Sequence, residues 1–263
     1  LQTLENLLGS SYSFDHLLVE TTGIADPSSI VDAFISGEGI QQRFLIDSVV
    51  CVIDAENFED LFESQMEVRL QLALADLVLL NKIDCVHADY LDSLEKLIRS
   101  VNPMARLVRT SFARVAAIDV LDTRSFSGQV IEQSTLSFCG VDVGALIQNE
   151  KRSFIHTPSV KIHDHKHDIH SVGFTFYGNF NVNKFGLWMQ NYLYFNRESV
   201  FRVKGIMSFE ETADQFVFHA VRSSFMFEVG KPWGDQPRFS KLVFIGKNLS
   251  SSELEISLLQ LLA

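Results

Sequence analysis

Over residues 1–120, short apolar runs alternate with longer stretches in which apolar residues recur every three or four positions. The short runs predict strands of a parallel sheet, and the longer stretches predict amphipathic helices. The run SVVCVID, rich in β-branched residues, is typical of a strand buried on both faces. Strands that alternate with helices favour an α/β fold with a mostly parallel sheet and right-handed crossovers. The predicted strands are 14–20, 48–54, 76–81 and 105–111, and the predicted helices are 26–35, 58–75 and 89–102.

The pattern changes after residue 170. Several runs now alternate apolar with polar or small residues, which indicates antiparallel strands, while 182–195 and 251–262 have helical character. Ser, Thr, Gln and Gly are frequent in the segment before this change, as in a linker or an irregular insertion. We therefore predict an α/β domain at 1–121, a linker with a His-rich stretch at 122–170, and a smaller α+β domain at 171–263.

The phenylalanines of the C-terminal part follow the same alternation. Phe174 with Phe176, and Phe216 with Phe218, lie two positions apart and would share one face of a strand. They favour a sheet core, with a partner-facing sheet surface as the alternative. His219 alternates with Phe and Val in FVFHAV, so we interpret it as a hydrogen-bonded core or interface histidine rather than a metal ligand.

Composition and charge narrow the function classes. The formal net charge is −11 and no compact basic patch offsets it, so we predict no nucleic-acid partner. No apolar run is long enough to cross a bilayer, and we predict no membrane partner. Cys51, Cys85 and Cys139 form no CxxC pair, which is typical of a reducing compartment, and we expect a cytoplasmic protein. The chain starts at Leu1 rather than Met, which leaves an organelle-targeting segment upstream open.

The strongest chemical signal is LVLLNKID at 77–84, where an apolar strand ends in Asn-Lys-x-Asp. Ligands of parallel sheets bind at the carboxyl ends of the strands. There Asp84 can accept hydrogen bonds from the ring N–H and the exocyclic amine of guanine, a donor pair that adenine lacks. Asn81 would brace the loop, and the Lys82 stem would cover the ring. The alternative is a plain turn, since these residue types are common in turns, but the strand before and the helix after favour a guanine site.

A carboxylate also stands at the end of an earlier predicted strand. In LLVETTG, Glu20 is followed three residues later by Gly23. In phosphate-transferring sites such an acid holds magnesium through water or orients the attacking water, and a glycine N–H can meet the γ-phosphate because no Cβ blocks the approach. The alternative is that Thr21, Thr22 and Asp26 only begin the next helix. For Asp26 we favour that N-cap interpretation, and for Glu20 the functional one.

The loop RTSFA at 109–113 follows the last predicted strand of the α/β part. Loops at this position can offer backbone N–H groups to the guanine carbonyl, which makes Ser111 a candidate base-binding residue. A generic loop explains the same residues equally well.

The stretch HDHKHDIH at 163–170 is a candidate metal site. Imidazoles two positions apart can converge on one ion in an extended segment, with the intervening carboxylates as additional ligands. We favour transient zinc binding, with a solvated polar linker as the alternative. The candidate ligands are His163, His165, His167 and His170.

These motifs together resemble those of the CobW-type metallochaperone GTPases, the zinc-linked branch of the SIMIBI-class P-loop proteins. FDHLLVETTGIADP is similar to the family's switch-region strand with its Glu-x-x-Gly turn, and LVLLNKID is similar to its guanine-specificity motif. RVKGIMSF, FVFHAVRSSFMFEVGKPW and PRFSKLVFIGKNL resemble its C-terminal domain, and the His-rich stretch stands where the family has one. The resemblance implies guanine binding by Asn81, Lys82 and Asp84, and sensing of phosphate and Mg²⁺ by Glu20 and Gly23.

The sequence departs from the family in two motifs. The family's Gly-rich phosphate loop with its Lys and Ser/Thr, and its Cys-x-Cys-Cys metal motif, would precede the switch strand, and neither occurs within residues 1–263. A phosphate loop supplies most of the anchoring of a nucleotide, so we expect little GTP affinity from these residues alone. We expect an N-terminally truncated sequence, because base-reading residues would have little reason to persist together in a degenerate relative.

The function that this resemblance implies is a GTPase that couples GTP hydrolysis to the delivery of zinc to a client metalloprotein. Co²⁺ and Ni²⁺ suit imidazole ligands as well. The alternative is a non-catalytic metal-binding or client-docking protein. The sequence identifies neither the client nor the oligomeric state, and a homo-oligomer stays open.

Overall fold

The computed structural model describes residues 2–9, 11, 13–23, 25–37, 39–40, 42–127, 130–131, 135 and 169–263. Their strands form two sheets, one parallel with three strands and one antiparallel with five. This architecture confirms the predicted α/β part followed by an α+β part. Within the described ranges, every helix is too short or too polar to span a bilayer.

The parallel sheet lies in the N-terminal half and has the order β1-β2-β3. Its register aligns Asp54 with Asn81, so that β1 and β2 end side by side. The strands are β1 (Val50–Asp54), β2 (Leu77–Asn81) and β3 (Arg106–Arg109). The helices of this half are α1 (Gln2–Leu8), α2 (Ser28–Ser36), α3 (Phe58–Ser64), α4 (Met66–Leu74), α5 (Ala88–Val101) and α6 (Ala117–Val120).

Three local predictions for this half were wrong in part. The segment 14–20 forms no strand, and Leu18 is 76% exposed. A strand needs a neighbour that takes up its backbone N–H and C=O groups, and in the described residues β1 pairs with β2 alone. Val52 of β1 is 59% exposed, so that strand is buried on one face rather than both. The predicted helix 58–75 divides into α3 and α4 because Gln65 takes an extended conformation.

The antiparallel sheet forms the C-terminal part and has the order β4-β8-β5-β6-β7. Helices α7 (Val182–Phe195) and α8 (Ser251–Leu259) pack on one face, and the Ser250 side chain caps α8 by accepting from the Glu253 N–H. Phe174, Phe176 and Phe218 are fully buried there, which confirms the core interpretation. The strands are β4 (Ile169–Tyr177), β5 (Val200–Ser208), β6 (Asp214–Val221), β7 (Ser224–Pro232) and β8 (Phe239–Lys247).

The other face of the antiparallel sheet packs against the N-terminal half. Phe201, Val243 and Ile245 join the same apolar cluster as the residues of β2 and α5. Arg202 and Lys204 of β5 reach across to the buried Asp76 carboxylate, which stands just before β2. The two sheets therefore share one core, and this contact ties the strand that leads into the Asn-Lys-x-Asp motif to the C-terminal sheet.

A second contact joins α2 to the turn between β6 and β7. The Arg222 guanidinium donates to Asp26 Oδ2 at 3.1 Å, and the Ser36 and Ser224 hydroxyl groups are 2.8 Å apart. Asp26 Oδ1 also accepts from the Ser28 N–H at 2.8 Å at the start of α2. The N-cap residue of α2 is Pro27, so Asp26, which we predicted as the N-cap, lies one position before it. The helix that follows the Glu20–Gly23 segment is thus held on the C-terminal part.

Candidate functional site

The candidate site lies where the three parallel strands end. Asp54 closes β1, Asn81 closes β2 and Thr110 follows β3. The Thr110 N–H donates to the Leu80 carbonyl at 2.9 Å, which continues the pairing beyond β3. Parallel strands bring these positions to one edge of the sheet, where α/β proteins bind their ligands.

Asn81 links all three strand ends. Its carbonyl oxygen accepts from the Ala55 N–H at 3.0 Å, just after β1. Its side-chain Oδ1 accepts from the Ala113 N–H at 2.8 Å, in the loop after β3. Asn81 therefore braces the loop, as the motif predicted, and its side-chain amide nitrogen stays able to donate to a ligand.

Both the backbone and the side-chain amine of Lys82 are constrained. Its backbone takes the left-handed conformation with φ 60°, and its Nζ lies 2.7 Å from Asp54 Oδ2. The hydrogen bond that Lys82 donates to Asp54, together with the charge of that carboxylate, raises the pKa of Lys82. Burial pushes the pKa of Asp54 upward, but hydrogen bonds from Lys82, Asn57 and the Glu56 N–H together hold it below its usual range. The ion pair with Asp54 therefore holds the Lys82 side chain at the end of β1.

Asp54 is a site residue that sequence reasoning missed. The available signal was its place at the carboxyl end of SVVCVID, the strand that pairs with β2. Nothing in the local pattern indicated its ion pair with Lys82, which lies on the neighbouring strand end.

Asp84 lies in a short 3-10 turn, Ile83–Cys85, and its side chain is exposed. The Ser111 hydroxyl and the Asp84 backbone N–H donate to this carboxylate and lower its pKa. The group is therefore ionised at neutral pH, and two carboxylate oxygens offer about four acceptor positions. Enough acceptor capacity remains for the two parallel N–H donors of a guanine edge. Ser111, predicted as a base-binding residue, is at the site through this contact.

Glu20 and Gly23 lie on a different segment. Glu20 is exposed and stands outside any strand, because the predicted strand at 14–20 does not form. The Gln71 amide of α4 donates to the carbonyls of Gly23 at 3.1 Å and of Ala25 at 3.0 Å, which fastens the turn to the helix that precedes β2. Apart from Gly23 and its two chain neighbours, no atom of the described residues lies within 4 Å of the point where a Gly23 Cβ would stand. The turn at Gly23 is open to a ligand. The prediction that Glu20 stands at the tip of a strand was wrong, because that strand does not form.

Of the four predicted metal ligands, His163, His165 and His167 lie outside the described residues. His170 lies in β4, half-buried, with its Nε2 3.2 Å from the Leu249 carbonyl oxygen. The parts of the chain that the structure describes contain no group of three or more His, Cys, Asp or Glu side chains placed to hold an ion. His219 is buried, 3.1 Å from the Phe126 carbonyl and stacked on the Phe126 ring, which confirms the core interpretation.

The residues present fit the base end of a guanine nucleotide. Asn81, Lys82, Asp84 and Ser111 meet at one edge, whereas no GxxxxGK[ST] segment that would cradle phosphates occurs in residues 1–263. The side chains at this edge are therefore candidates for contacts with a purine, and the described residues offer no candidate set for the phosphates.

Family models match both parts of the chain. The nucleotide-binding domain model for CobW/HypB/UreG matches residues 1–109. The model of the C-terminal domain of the cobalamin synthesis protein cobW matches residues 169–262.

Two relatives match nearly the whole chain at low identity. The zinc chaperone YjiA of Escherichia coli is 25% identical over 254 residues, which cover 97% of this chain and 73% of YjiA. The zinc-regulated GTPase metalloprotein activator 1 of Schizosaccharomyces pombe is 24% identical over 278 aligned residues, which cover 95% of this chain and 64% of that protein. A crystal structure of the Zn(II)-bound YjiA GTPase superposes with a TM-score of 0.73 at 22% identity, covering 99% of this chain and 75% of that one. The shared fold confirms the predicted fold class.

Proposed function

Because the chain belongs to the CobW family, we propose that it is a GTP-dependent metallochaperone that couples GTP binding and hydrolysis to the delivery of zinc to a client metalloprotein. The observation that carries this proposal is the arrangement around Asp84: an exposed, ionised carboxylate beside the Ser111 hydroxyl, next to Asn81 and Lys82. In this proposal Asp84 accepts the ring N–H and exocyclic amine of guanine. Asn81 positions the loop after β3, and the Lys82 stem covers one face of the ring.

GTP supplies the free energy in this function, and magnesium supplies charge neutralisation at the phosphates. The turn that contains Gly23 is proposed to meet the γ-phosphate, and Glu20, three residues earlier in the same exposed segment, would hold magnesium through water. Support comes from the open space at Gly23 and from the Gln71 contacts, which tie this turn to the helix leading into β2. Asp26 and Arg222 would carry a movement of that turn to the C-terminal sheet.

Zinc is the cargo in this proposal. His163, His165, His167 and His170 are proposed to capture the ion for transfer to a client metalloprotein, in a cytoplasmic setting. Imidazoles ligate only when neutral, so zinc capture would weaken in acid. The relatives named as a zinc chaperone and a zinc-regulated activator support this choice of metal over Co²⁺ or Ni²⁺.

The base-reading role is tested by Asp84→Asn. An amide can accept one hydrogen bond and donate another, so it matches xanthine, which carries a carbonyl in place of the exocyclic amine. We expect the ratio of GDP to XDP affinity to fall by at least about tenfold, since a hydrogen bond to a charged group contributes about 1.5–3 kcal/mol. Ligand-observed NMR titration of the 263-residue chain suits the weak affinities expected.

Asp89→Asn is the matched control, because Asp89 is an exposed aspartate at the start of α5. It should leave the ratio unchanged. An unchanged ratio in Asp84→Asn as well would remove Asp84 from the base site and the proposed function with it.

The alternative is a metal-binding or client-docking protein without catalysis, favoured by the lack of a phosphate-loop sequence in residues 1–263. Both functions predict zinc binding, measured by calorimetry. Replacing His163, His165 and His167 together by Ala should abolish it, whereas the exposed His87→Ala should not. Measuring phosphate release from GTP separates the two functions. If the chain releases no phosphate and also shows no guanine selectivity, the alternative is favoured.

A further inference from the structure

Phe112 stands at the tip of the loop after β3 and is 76% exposed. Exposed aromatic residues occur singly on most proteins, so exposure alone carries no meaning. The contacts of the neighbouring residues, Ser111 and Ala113, make the exposure of Phe112 informative. The Ala113 N–H donates to Asn81 Oδ1 at 2.8 Å, and hydrogen bonding from the Ser111 side chain lowers the pKa of Asp84. The chain neighbours on both sides of Phe112 therefore contact the residues that are proposed to read the base.

The backbone at this tip is strained. Phe112 has φ 54° and Ala113 has φ 51°, so two successive non-glycine residues take the left-handed conformation. This conformation is uncommon for residues with a Cβ and unfavourable for a bulky side chain. The hydrogen bonds on either side maintain it. Glycine would take this conformation without steric strain, so the Phe112 ring is held at the loop tip against the backbone preference of its residue type.

One face of the Phe112 ring already has a partner. The guanidinium carbon of Arg114 lies 5.7 Å from the ring centroid, over the ring. The large exposed fraction of the side chain leaves the other face open to solvent. An open aromatic face beside a purine-edge reader is suited to stacking on a base, because every base has a flat π-face that excludes water from an aromatic ring.

We propose that Phe112 is the stacking residue of this site, covering one face of the purine ring whose edge Asp84 reads. The inference rests on the proposed function and extends it to a residue outside the Asn-Lys-x-Asp motif. Stacking does not depend on the exocyclic groups of the base, so Phe112 contributes affinity for guanine and xanthine alike, whereas Asp84 sets the choice between them.

The test compares Phe112→Ala, Phe112→Trp and the control Phe195→Ala by titrating the 263-residue chain with GDP and with XDP. Phe195 is an equally exposed phenylalanine, 79% accessible, at the end of α7 in the other part of the molecule. We expect Phe112→Ala to weaken both nucleotides by about 5- to 100-fold with little change in their ratio. Phe112→Trp should retain or improve binding, and its indole fluorescence should be quenched on addition of GDP. Phe195→Ala should match the wild type.

Phe112→Gly separates stacking from a structural role. Glycine adopts positive φ without strain, so this variant should melt at a higher temperature than the wild type and still bind as weakly as Phe112→Ala. If Phe112 served only to stabilise the loop, the melting temperature and the nucleotide affinity of Phe112→Gly would change in the same direction. That result would show the proposal to be wrong.

The outcomes for Phe112 and Asp84 are distinguishable. If Asp84→Asn changes the GDP to XDP ratio and Phe112→Ala binds both as tightly as the wild type, the stacking role is overturned and the proposed function stands. Equal losses in Phe112→Ala and Phe195→Ala overturn it as well. If Asp84→Asn leaves the ratio unchanged, the proposed function fails and the stacking role with it.

Discussion

The buried ion cluster between the two sheets offers the sharpest stability prediction. The Asp76 carboxylate accepts from Arg202 and Lys204, and all three side chains are at most 5% exposed. Asp76 Oδ2 also accepts from the Val49 N–H at 2.9 Å, and Arg202 donates to the Leu74 carbonyl. One buried anion thus compensates two buried cations at the contact between the N-terminal and C-terminal parts.

Asp76→Asn removes that negative charge with almost no change in shape. The two cations then remain buried without a counter-charge, and losing one partner of a buried pair costs about 3–5 kcal/mol. That is a large part of the about 5–15 kcal/mol by which folded proteins are stable. Asp92→Asn is the matched control, because Asp92 pairs with Arg109 at 2.8 Å on the surface. Exposed pairs contribute about 0.2–1 kcal/mol.

Urea unfolding measures the difference. Far-UV circular dichroism reports both parts, and fluorescence of Trp188 and Trp233 reports the C-terminal part. With a slope of about 2–3 kcal/mol per molar urea, Asp76→Asn should lower the midpoint by about 1–2.5 M, or separate the two transitions. Adding Lys204→Met to Asp76→Asn removes one uncompensated cation and should recover part of the loss. A loss for Asp76→Asn no larger than that of Asp92→Asn would refute the account of this cluster.

Two further predictions concern the same sheet. Burial and the charge of Arg202 lower the pKa of Lys204 to about 8, partly offset by Asp76. In the unfolded state the pKa of this side chain is about 10.4. Between about pH 8 and pH 10.4 the unfolded state therefore binds more protons than the folded state, and the free energy of unfolding should rise with pH across that range. Urea midpoints against pH should show the rise in the wild type and not in Lys204→Met. A Cβ at Gly205 would stand 2.3 Å from a backbone carbonyl oxygen of β8, so Gly205→Ala should lower the free energy of unfolding by about 1–3 kcal/mol. Gly186 lies in α7 with open space around the position of a Cβ, so Gly186→Ala should raise it by about 0.5–1 kcal/mol. Thermal melting measures both changes.

Elements with strong local patterns could be predicted from the sequence. β2 is four consecutive buried apolar residues followed by Asn81, and α5 has regular apolar spacing and ends just before Pro103. The contrast is the segment 14–20, whose apolar run was predicted as a strand and lies exposed. A strand depends on a partner elsewhere in the chain, and local composition does not report whether that partner is paired.

The candidate site was predicted in part for the same reason. Asn81, Lys82 and Asp84 lie within one motif, so their residue types and spacing indicated their chemistry directly. The ion pair of Asp54 with Lys82 and the hydrogen bond of Ser111 to Asp84 join different strand ends. These pairs become visible only when the parallel register brings the strand ends to one edge.

By itself, the sequence determined the class of the fold and the order of its α/β and α+β parts, and it located the candidate Asn-Lys-x-Asp motif, because propensity, periodicity and motif spacing act over a few neighbouring residues. Only the tertiary structure decided which charges share a buried site, as with Asp76 and Arg202, which lie 126 positions apart. It also decided that the Phe112 ring is exposed in the loop whose next residue, Ala113, donates to Asn81. Such contacts depend on how distant segments pack, and the burial of a charge or the exposure of a ring follows from that packing rather than from the residue's immediate neighbours.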